Sequence, residues 1–560
     1  MEMGLKDRLM ARAIELKAIR QPWEAQWWDI FEQMAPYRPK KWLDDGDRGQ
    51  RKDSKILNNA PLNALDVGVA GLQAGITSPV REWHRETLED QNLAEHRPVK
   101  IWLDQLQRGI SSALAQSNWY SALTNDTYPD IYTIGTAALF EEEDVSTGKL
   151  VFMGMRPGEY WLDINHFNMV DTCYREKLFT VRQMVQKFGY DSCSLQVRTA
   201  WDRGDYASKR PVSHMVLPND EYEAEALGYR GKLWMSCWWD GEDSSKDDFL
   251  RKSGYGRFPV LAPRWTSYSG EVYGRGPGWK ALGDCRELQH YENRNHKMVD
   301  KIVDPPMRAH GISRASLLPG DVTQGTSGSM VYEQAMKIDP QAIAASREKI
   351  EAAERRIDRA FYVDLWRSIL DDTRDRKTAT EVQAIQQERM VMLGPLLENL
   401  NVSLLEPAIA RSFHILINNP GALPEPPPEL QGQEVKIRFI SIMHQMQQAL
   451  GLTGVRTFVD EIGRIQQLNP EAADKFNADV TVDEIARITG VRPDMVVPTE
   501  EANKQRAERA KMAQAQQTGD AMVQAAGAMK DVGQTDGANI QDLASRLAPA
   551  AAAQGGALGG

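Results

Sequence analysis

The sequence predicts an α+β fold that is predominantly helical, and three observations predict it. Helical apolar spacing recurs over most of the chain, and short strands joined by short turns fill the segment 136–275. Two long helical runs also enclose a segment rich in proline and glycine at 304–340. With 560 residues, the chain is long enough for several domains and a large core.

The first part of the chain is predicted to be helical. Residues 5–35 read as a helix that is interrupted near Pro22, with tryptophans forming a packing face in its second half. Residues 60–77 form a small-residue helix that can pack closely, and helices resume over 98–134.

The segment 136–275 changes to strand patterns. Two strands flank a turn at 146–148, and further strands are expected in EYWLDIN, KLWMSCWWD and FPVLAPRWTS. A short helix is expected at TVRQMVQKFG. Because short turns connect the strands, antiparallel pairing is favoured.

The apolar spacing predicts two long helices, which are called the first rod (279–303) and the second rod (341–370). A narrow apolar seam follows each rod, which is typical of a helix packed against a neighbouring helix. We expect these seams to be buried between adjacent copies of the chain. The seam residues are Leu288, Tyr291, Met298 and Ile302 on the first rod, and Ile350, Ile357 and Phe361 on the second. Asn295 interrupts the first seam, either as a register device or as a partly exposed position.

The first rod is predicted to end by Asp304, because Pro305 and Pro306 cannot continue a helix. The tip that follows, 304–340, should carry short strands. After the second rod comes a charged loop, and Thr378 with Glu381 can begin a new helix through a capping box.

Later segments alternate again between strand and helix. EVKIRFIS has the period of a strand, and a helix is expected from Thr481 to Gly490, with Glu484 in its capping box. The final residues, rich in alanine and glycine, are predicted to be disordered.

The overall charge limits the functions that the chain can have. The net charge is −11 and the pI is near 5.5, which argues against a simple, tight nucleic-acid binder but not against a protein that lets DNA pass. The four cysteines are far apart and are expected to be reduced thiols. The N-terminal sequence lacks a signal-peptide pattern, and no apolar run is long enough to span a membrane.

The glycine-rich sequence GYGRGPGW stands between a strand and the first rod. Its glycines Gly274, Gly276 and Gly278 lack the spacing of a dinucleotide-binding loop. A flexible joint is favoured there, with a phosphate site as the alternative.

No sequence motif of a nucleotide-hydrolysing, zinc-dependent or serine-nucleophile enzyme is found, and neither a cofactor nor a metal is expected. The aspartates Asp371, Asp372 and Asp375 could suggest a metal site. Basic residues interleave with them, so a solvated charged loop is favoured.

The order of these elements resembles that of portal proteins, the head-to-tail connectors of short-tailed tailed bacteriophages. The resemblance covers about residues 5–510. It depends on the tryptophan-rich first helix ending in MAPY, on NNAPLNALDVGVAGLQAGITSP followed by REW, on GRGPGWKALGDCRELQHYENRNHK, on RKTATEVQAIQQERMVMLGPLLENLNVSLLEPAI and on VKIRFIS.

The resemblance implies a ring of about twelve copies at one vertex of the capsid. It also implies a division of the chain. The regions are a wing at 1–278, stem helices at 279–303 and 341–370, a clip at 304–340, a tunnel loop at 371–379, a second part of the wing at 380–470, crown helices at 471–530 and a disordered tail at 531–560.

The partners that the resemblance implies are double-stranded DNA in the channel, the terminase large subunit, the major capsid protein, the scaffolding protein and a tail adaptor, with no membrane. Basic residues in the tunnel loop would face the DNA, and others in the clip would contact a partner. They are Arg374, Arg376 and Lys377 in the loop, and Arg308, His310 and Arg314 in the clip.

The expected function is therefore a structural portal ring, made in the host cytoplasm and located in the virion. It would form the channel for genome packaging and ejection and would bind first the terminase and then the tail. Two alternatives stay open: a head-tail adaptor or scaffold that is not a portal, and a metal-dependent DNA-processing enzyme that uses the aspartates of 371–375.

Overall fold

The fold is known from a computed structural model, which describes part of the chain. The described residues are 4–38, 52–88, 90, 93, 96–144, 146–242, 249–305, 307–309, 318, 321–323, 332–334, 340–370, 394–419, 421–430, 435–438, 454–466, 476–489, 491, 495–497 and 499–532. They belong to two compact units, one over 1–456 and one over 457–560.

Helices dominate the described residues. They are α1 (Leu5–Met34), α2 (Ala60–Gly75), α3 (Arg97–Gln116), α4 (Trp119–Ala122), α5 (Tyr128–Thr133), α6 (Val181–Phe188), α7 (Leu195–Asp202), α8 (Pro277–Val303), α9 (Pro340–Ala360), α10 (Val363–Leu370), α11 (Gly394–Leu400), α12 (Glu406–Ile417), α13 (454–466), α14 (Ala478–Thr489) and α15 (Thr499–Val532). Two π-helical turns, Leu123–Thr127 and Asn401–Leu405, and one 3₁₀ turn, Pro428–Leu430, complete the helical elements.

The described strands form four sheets. They are β1 (Arg85–Leu88), β2 (Ala138–Asp144), β3 (Lys149–Met155), β4 (Tyr160–Ile164), β5 (Val170–Thr180), β6 (Lys209–Pro218), β7 (Trp234–Asp240), β8 (Arg251–Tyr255), β9 (Val260–Leu261), β10 (Met307–Ala309), β11 (Val322–Thr323), β12 (Tyr332–Gln334) and β13 (Val435–Arg438). The sheet orders are β4-β5-β6-β7-β8, β3-β2-β9, β11-β10-β12 and β1-β13.

The strand pairing within 136–275 confirms the predicted antiparallel arrangement. The predicted turn lies between β2 and β3, where the Asp144 carboxylate accepts hydrogen bonds from the Ser146 backbone N–H and from the hydroxyls of Ser146 and Thr147. The predicted short helix is α6, and Thr180 with Gln183 forms its capping box.

Two long strands, β5 and β6, were not predicted. Both lie inside the five-stranded sheet, and separate apolar clusters cover its two faces. The first half of α1 covers one face with Leu9 and Leu16, while α6 covers the other with Val181 and Met184. Because both faces are covered, these strands lack the simple alternation that marks a half-buried strand.

The predicted interruption at Pro22 was wrong, since α1 is one continuous helix. Pro22 lies on the exposed side of the helix, so water can bind the carbonyl group that has no amide partner. The following turn is held by Trp23 and Trp27, whose rings lie 5.9 Å and 5.2 Å from that of Tyr273. This aromatic packing offsets the missing hydrogen bond.

The second unit contains α14 and α15. Helix α14 begins at Ala478, earlier than the predicted Thr481. The reason is Asn477, whose side-chain oxygen accepts a hydrogen bond from the Val480 backbone N–H at 3.2 Å, as an N-cap residue does. Arg506 of α15 pairs with Asp479 of α14, with an N–O distance of 2.5 Å.

Candidate functional site: the rod pair and its tip

The two rods pack against each other as an antiparallel helix pair within one chain. The first rod is α8 and the second rod is α9. Arg356 of the second rod forms ion pairs with Asp284 at 2.6 Å and Glu287 at 2.7 Å on the first. These contacts set the register of the two helices along their axes.

The predicted seams were expected to be buried between adjacent copies of the chain, but most of their residues are buried within one chain. Leu288, Ile350, Ile357 and Phe361 belong to the apolar core of a single chain and are at most 7% exposed. A side chain with so little exposed surface has almost none left to bury against a second copy. The prediction that these four residues form a subunit contact was therefore wrong.

The remaining seam residues are more accessible towards the tip. Tyr291 is partly buried against the core, Met298 is half-buried and Ile302 is 44% exposed. Asn295 is half-buried as well, and its side-chain oxygen has no hydrogen-bond partner among the described residues. This distal part of the first rod therefore keeps apolar side-chain surface for a neighbour.

A short segment before α2, here called the strap (Leu57–Asn58), ties the two rods together. Gln289 accepts hydrogen bonds from the backbone N–H groups of Leu57 and Asn58 at 2.7 and 3.0 Å. The Asn58 side-chain amide donates to Glu292 on the first rod and to Glu354 on the second, each at 2.8 Å. Sequence periodicity carried no signal for the strap, because it is a short segment outside the regular helices.

The second rod ends earlier than predicted. Its helix stops at Ala360, and Tyr362 adopts a positive φ of 58° before α10 begins at Val363. The predicted single helix over 341–370 is therefore two helices. The break turns the chain so that Trp366 enters the core, where its ring N–H donates to the Tyr132 hydroxyl at 2.6 Å.

The small-residue helix α2 receives this tryptophan. An added Cβ at Gly71 would lie 2.2 Å from the Trp366 ring, and one at Gly68 would lie 2.7 Å from the Tyr132 ring. The predicted role of α2 in close packing is confirmed, and the absence of side chains there leaves room for both rings.

The glycine-rich entry to the first rod is a close-packed crossing rather than a flexible joint. An added Cβ at Gly274 would lie 2.5 Å from the Gly135 carbonyl oxygen, and at Gly276 2.4 Å from that of Ile131. At Gly278 it would meet the Thr133 carbonyl oxygen at 2.5 Å. Backbone therefore occupies the space beside these glycines, which corrects the flexible-joint prediction and leaves no room for a phosphate.

The predicted short strands of the tip are confirmed by β10, β11 and β12. Arg308 lies in the central strand β10, where its backbone pairs with Thr323 on one side and Glu333 on the other. His310 and Arg314 lie outside the described residues. So do the tunnel-loop residues, Arg374, Arg376 and Lys377, with the capping residues Thr378 and Glu381 and the aspartates Asp371, Asp372 and Asp375.

One buried constellation resembles a catalytic triad in its contacts. The Ser111 hydroxyl lies 3.0 Å from His84 Nε2, and His84 Nδ1 lies 3.0 Å from the Glu86 carboxylate. Ser111 sits inside helix α3, however, where neighbouring backbone N–H groups already donate to carbonyl groups of the helix. The Gln107 side-chain amide also donates to the Ser111 hydroxyl, at 3.4 Å. With the backbone N–H groups around Ser111 already used by the helix, we interpret this arrangement as a buried hydrogen-bond network rather than an acyl-transfer site.

The described residues contain no group of three or more histidine, cysteine or carboxylate side chains arranged to bind a metal. Within the same residues, every helix is too short or too polar to cross a membrane.

Comparison with known proteins identifies the family. A family model described as bacteriophage head to tail connecting protein matches residues 6–496, which is most of the chain. The chain belongs to this family.

Two relatives match almost from end to end. The chain is 35% identical over 551 residues to the portal protein of Salmonella phage epsilon15, covering 96% of this chain and 98% of that protein. It is 32% identical over 543 residues to the probable portal protein of Bordetella phage BPP-1, covering 96% of each. The predicted resemblance is confirmed, and the chain is a portal, or head-to-tail connector, of the phage capsid vertex.

Two solved structures of gene transfer agents are also similar. One is the neck of an empty particle, with 10% identity, a TM-score of 0.31 and coverage of 80% of this chain and 94% of that one. The other is the virion of a native particle, with 10% identity, a TM-score of 0.29 and coverage of 75% and 98%. These similarities are too low to support an argument.

Proposed function

We propose that the portal is a ring of about twelve copies whose central channel passes double-stranded DNA during packaging and ejection. The observation that carries this proposal is the near-complete match to two portal proteins of phages. The rod pair supports it, because two helices locked side by side form a stiff spoke from which a channel wall can be built.

In the proposed arrangement, the regions keep the boundaries expected from the resemblance: wing 1–278, stem 279–303 and 341–370, clip 304–340, tunnel loop 371–379, second part of the wing 380–470, crown 471–530 and tail 531–560. The three-stranded sheet of the tip supports a separate clip. The long helix α15 supports a helical crown.

The proposed partners are those of a capsid vertex: the terminase large subunit and later a tail adaptor at the clip, with the major capsid protein and the scaffolding protein around the wing. Arg308, His310 and Arg314 are proposed as clip contacts. Met298 and Ile302 are proposed as contacts between copies, because they retain exposed surface near the tip.

The ring is tested by negative-stain microscopy of the purified full-length protein at several salt and protein concentrations. Rings with a central hole are expected. Monomers or compact globules under every condition would overturn the proposal.

The tunnel loop is proposed to contact the DNA through Arg374, Arg376 and Lys377, since basic side chains make salt-sensitive contacts to phosphates. Replacing all three with alanine should leave the ring intact and reduce DNA packaging or retention in particles. Unchanged packaging and retention in intact particles would contradict this role.

A further inference from the structure

The outer side of the first rod carries a continuous row of basic residues, here called the basic stripe: Arg286, His290, Arg294, Lys297 and Lys301. At 3.6 residues per turn, these five positions lie within an arc of about 80°. Between Arg286 and Lys301, no other residue of α8 falls on that arc. At 1.5 Å per residue, the stripe runs for about 22 Å along the helix.

The stripe is accessible, and its distal charges have no ion-pair partner among the described residues. Arg286, His290, Arg294 and Lys297 are exposed, and Lys301 is half-buried. Arg286 pairs with Asp29 at 2.8 Å. Arg294, Lys297 and Lys301 form no ion pair with any carboxylate that the structure describes, so three positive charges stay available for a partner.

The position of the stripe follows from the packing of the rod. Leu288 faces the core and Asn295 is half-buried, and both lie on the side of α8 opposite to the stripe. The second rod contacts α8 through Arg356, and the strap contacts it through Asn58, so α8 is supported on sides other than the stripe. The stripe is presented on a supported helix rather than on a loop.

The partner that this surface fits is a polyanion rather than the matching rod of a second copy. The outer face of the second rod mixes both signs with a basic excess. The residues exposed along it are Arg347, Glu348, Glu351, Arg355 and Arg359. Arg355 and Glu351 already pair there at 3.7 Å. A face on which cations outnumber carboxylates offers little to three further cations, whereas duplex DNA carries one negative charge per about 1.7 Å of axis.

We infer that Arg294, Lys297 and Lys301 contact the phosphate backbone of duplex DNA. This inference rests on the proposed function and adds a contact surface separate from the tunnel loop. Phosphates are so closely spaced that some of them face the stripe at any position of the duplex, so the contact is independent of sequence. In an acidic chain, a local stripe guides DNA without holding it tightly.

The test uses the full-length protein and a fluorescently labelled duplex of random sequence, with anisotropy measured over a range of salt concentrations. The variant Arg294→Gln, Lys297→Gln, Lys301→Gln should bind more weakly. Its slope of log K against log salt should fall by up to about 0.9 for each phosphate that the protein no longer neutralises. The charge-conserving variant Arg294→Lys, Lys297→Arg, Lys301→Arg should keep the slope.

A matched control removes three exposed positive charges elsewhere, in the variant Lys149→Gln, Arg203→Gln, Lys232→Gln. It should bind as the wild type does. An equal fall of the slope in the control would show that total charge, and not the stripe, sets the affinity, and would overturn the inference. An unchanged slope in the stripe variant would do the same.

Ring formation is measured in parallel for every variant. Loss of rings with unchanged DNA affinity in the stripe variant would assign the stripe to contacts between copies and overturn the inference. If the wild type itself formed no rings, the proposed function would fail. The DNA comparison would still stand, because it needs only the full-length protein in solution.

Discussion

At the scale of single residues, the clearest electrostatic feature is Glu141, a carboxyl group that is fully buried in the core. One carboxylate oxygen accepts a hydrogen bond from the Ser412 hydroxyl at 2.8 Å, and the other is buried without a partner among the described residues. Burial raises the pKa of Glu141 to about 8, although Arg411 and Ser412 act in the opposite direction. Glu141 is therefore mostly protonated at neutral pH.

This raised pKa predicts a pH dependence of stability. Between the ordinary glutamate pKa and about 8, the folded chain binds a proton that the unfolded chain does not, so stability falls as the pH rises through this window. The slope is at most about 1.4 kcal/mol per pH unit. Glu141→Gln should flatten the decline of the thermal midpoint between about pH 5 and pH 8. An identical decline in wild type and variant would contradict the raised pKa.

The close packing at Gly276 predicts that a larger side chain there destabilises the fold. Gly283, in the helix that follows, is the control. A Cβ at Gly276 would lie 2.4 Å from a backbone oxygen, whereas one at Gly283 would meet nothing within 4 Å. Gly276→Ala should lower the free energy of unfolding by about 1–3 kcal/mol, as overpacking does. Gly283→Ala should raise it by up to about 1 kcal/mol, because alanine favours the helix. Equal effects in thermal unfolding would contradict the close-packed crossing.

At the scale of elements, the first rod was predicted two residues late at its start and at the correct residue at its end, because helical spacing and the Pro305-Pro306 stop are local signals. The partner of its apolar seam was not predictable. A narrow seam shows that a helix has a neighbour, and Leu288 lies in the same apolar core of one chain as Ile350 and Ile357 of the second rod, which packs against the first. The same spacing would serve a contact between copies equally well.

Two other features of the rod pair were also hidden from the sequence. The break at Tyr362 contains neither glycine nor proline, and the buried Trp366 explains it only once the fold is known. The strap joins residues that are far apart in the chain, such as Asn58 and Glu292, which are 234 positions apart. Long-range contacts of this kind leave no periodic trace in one sequence.

The rod pair itself predicts a local loss of stability when Arg356 is removed. Its two carboxylate partners are partly exposed, so Arg356→Ala should cost only about 0.5–1 kcal/mol. Amide hydrogen exchange should nevertheless accelerate in α8 and α9. Arg355→Ala, which removes one exposed pair within α9, should leave that exchange almost unchanged. Equal acceleration in both variants would contradict the role given to Arg356.

At the scale of the whole molecule, an acidic chain with localised basic surface suits a channel. A net charge of −11 repels phosphate overall, so we expect weak DNA binding. Basic residues on the first rod and in the tunnel loop are proposed to supply short, salt-sensitive contacts against this background. A tight DNA binder would need the opposite distribution of charge.

The most direct test of the account is a reconstruction of the purified full-length protein by electron cryomicroscopy. We predict a closed ring in which α8 and α9 stand side by side in the wall of the central channel, with Arg294, Lys297 and Lys301 facing its lumen. A ring whose channel is lined by other parts of the chain, or a protein that forms no ring, would contradict the account.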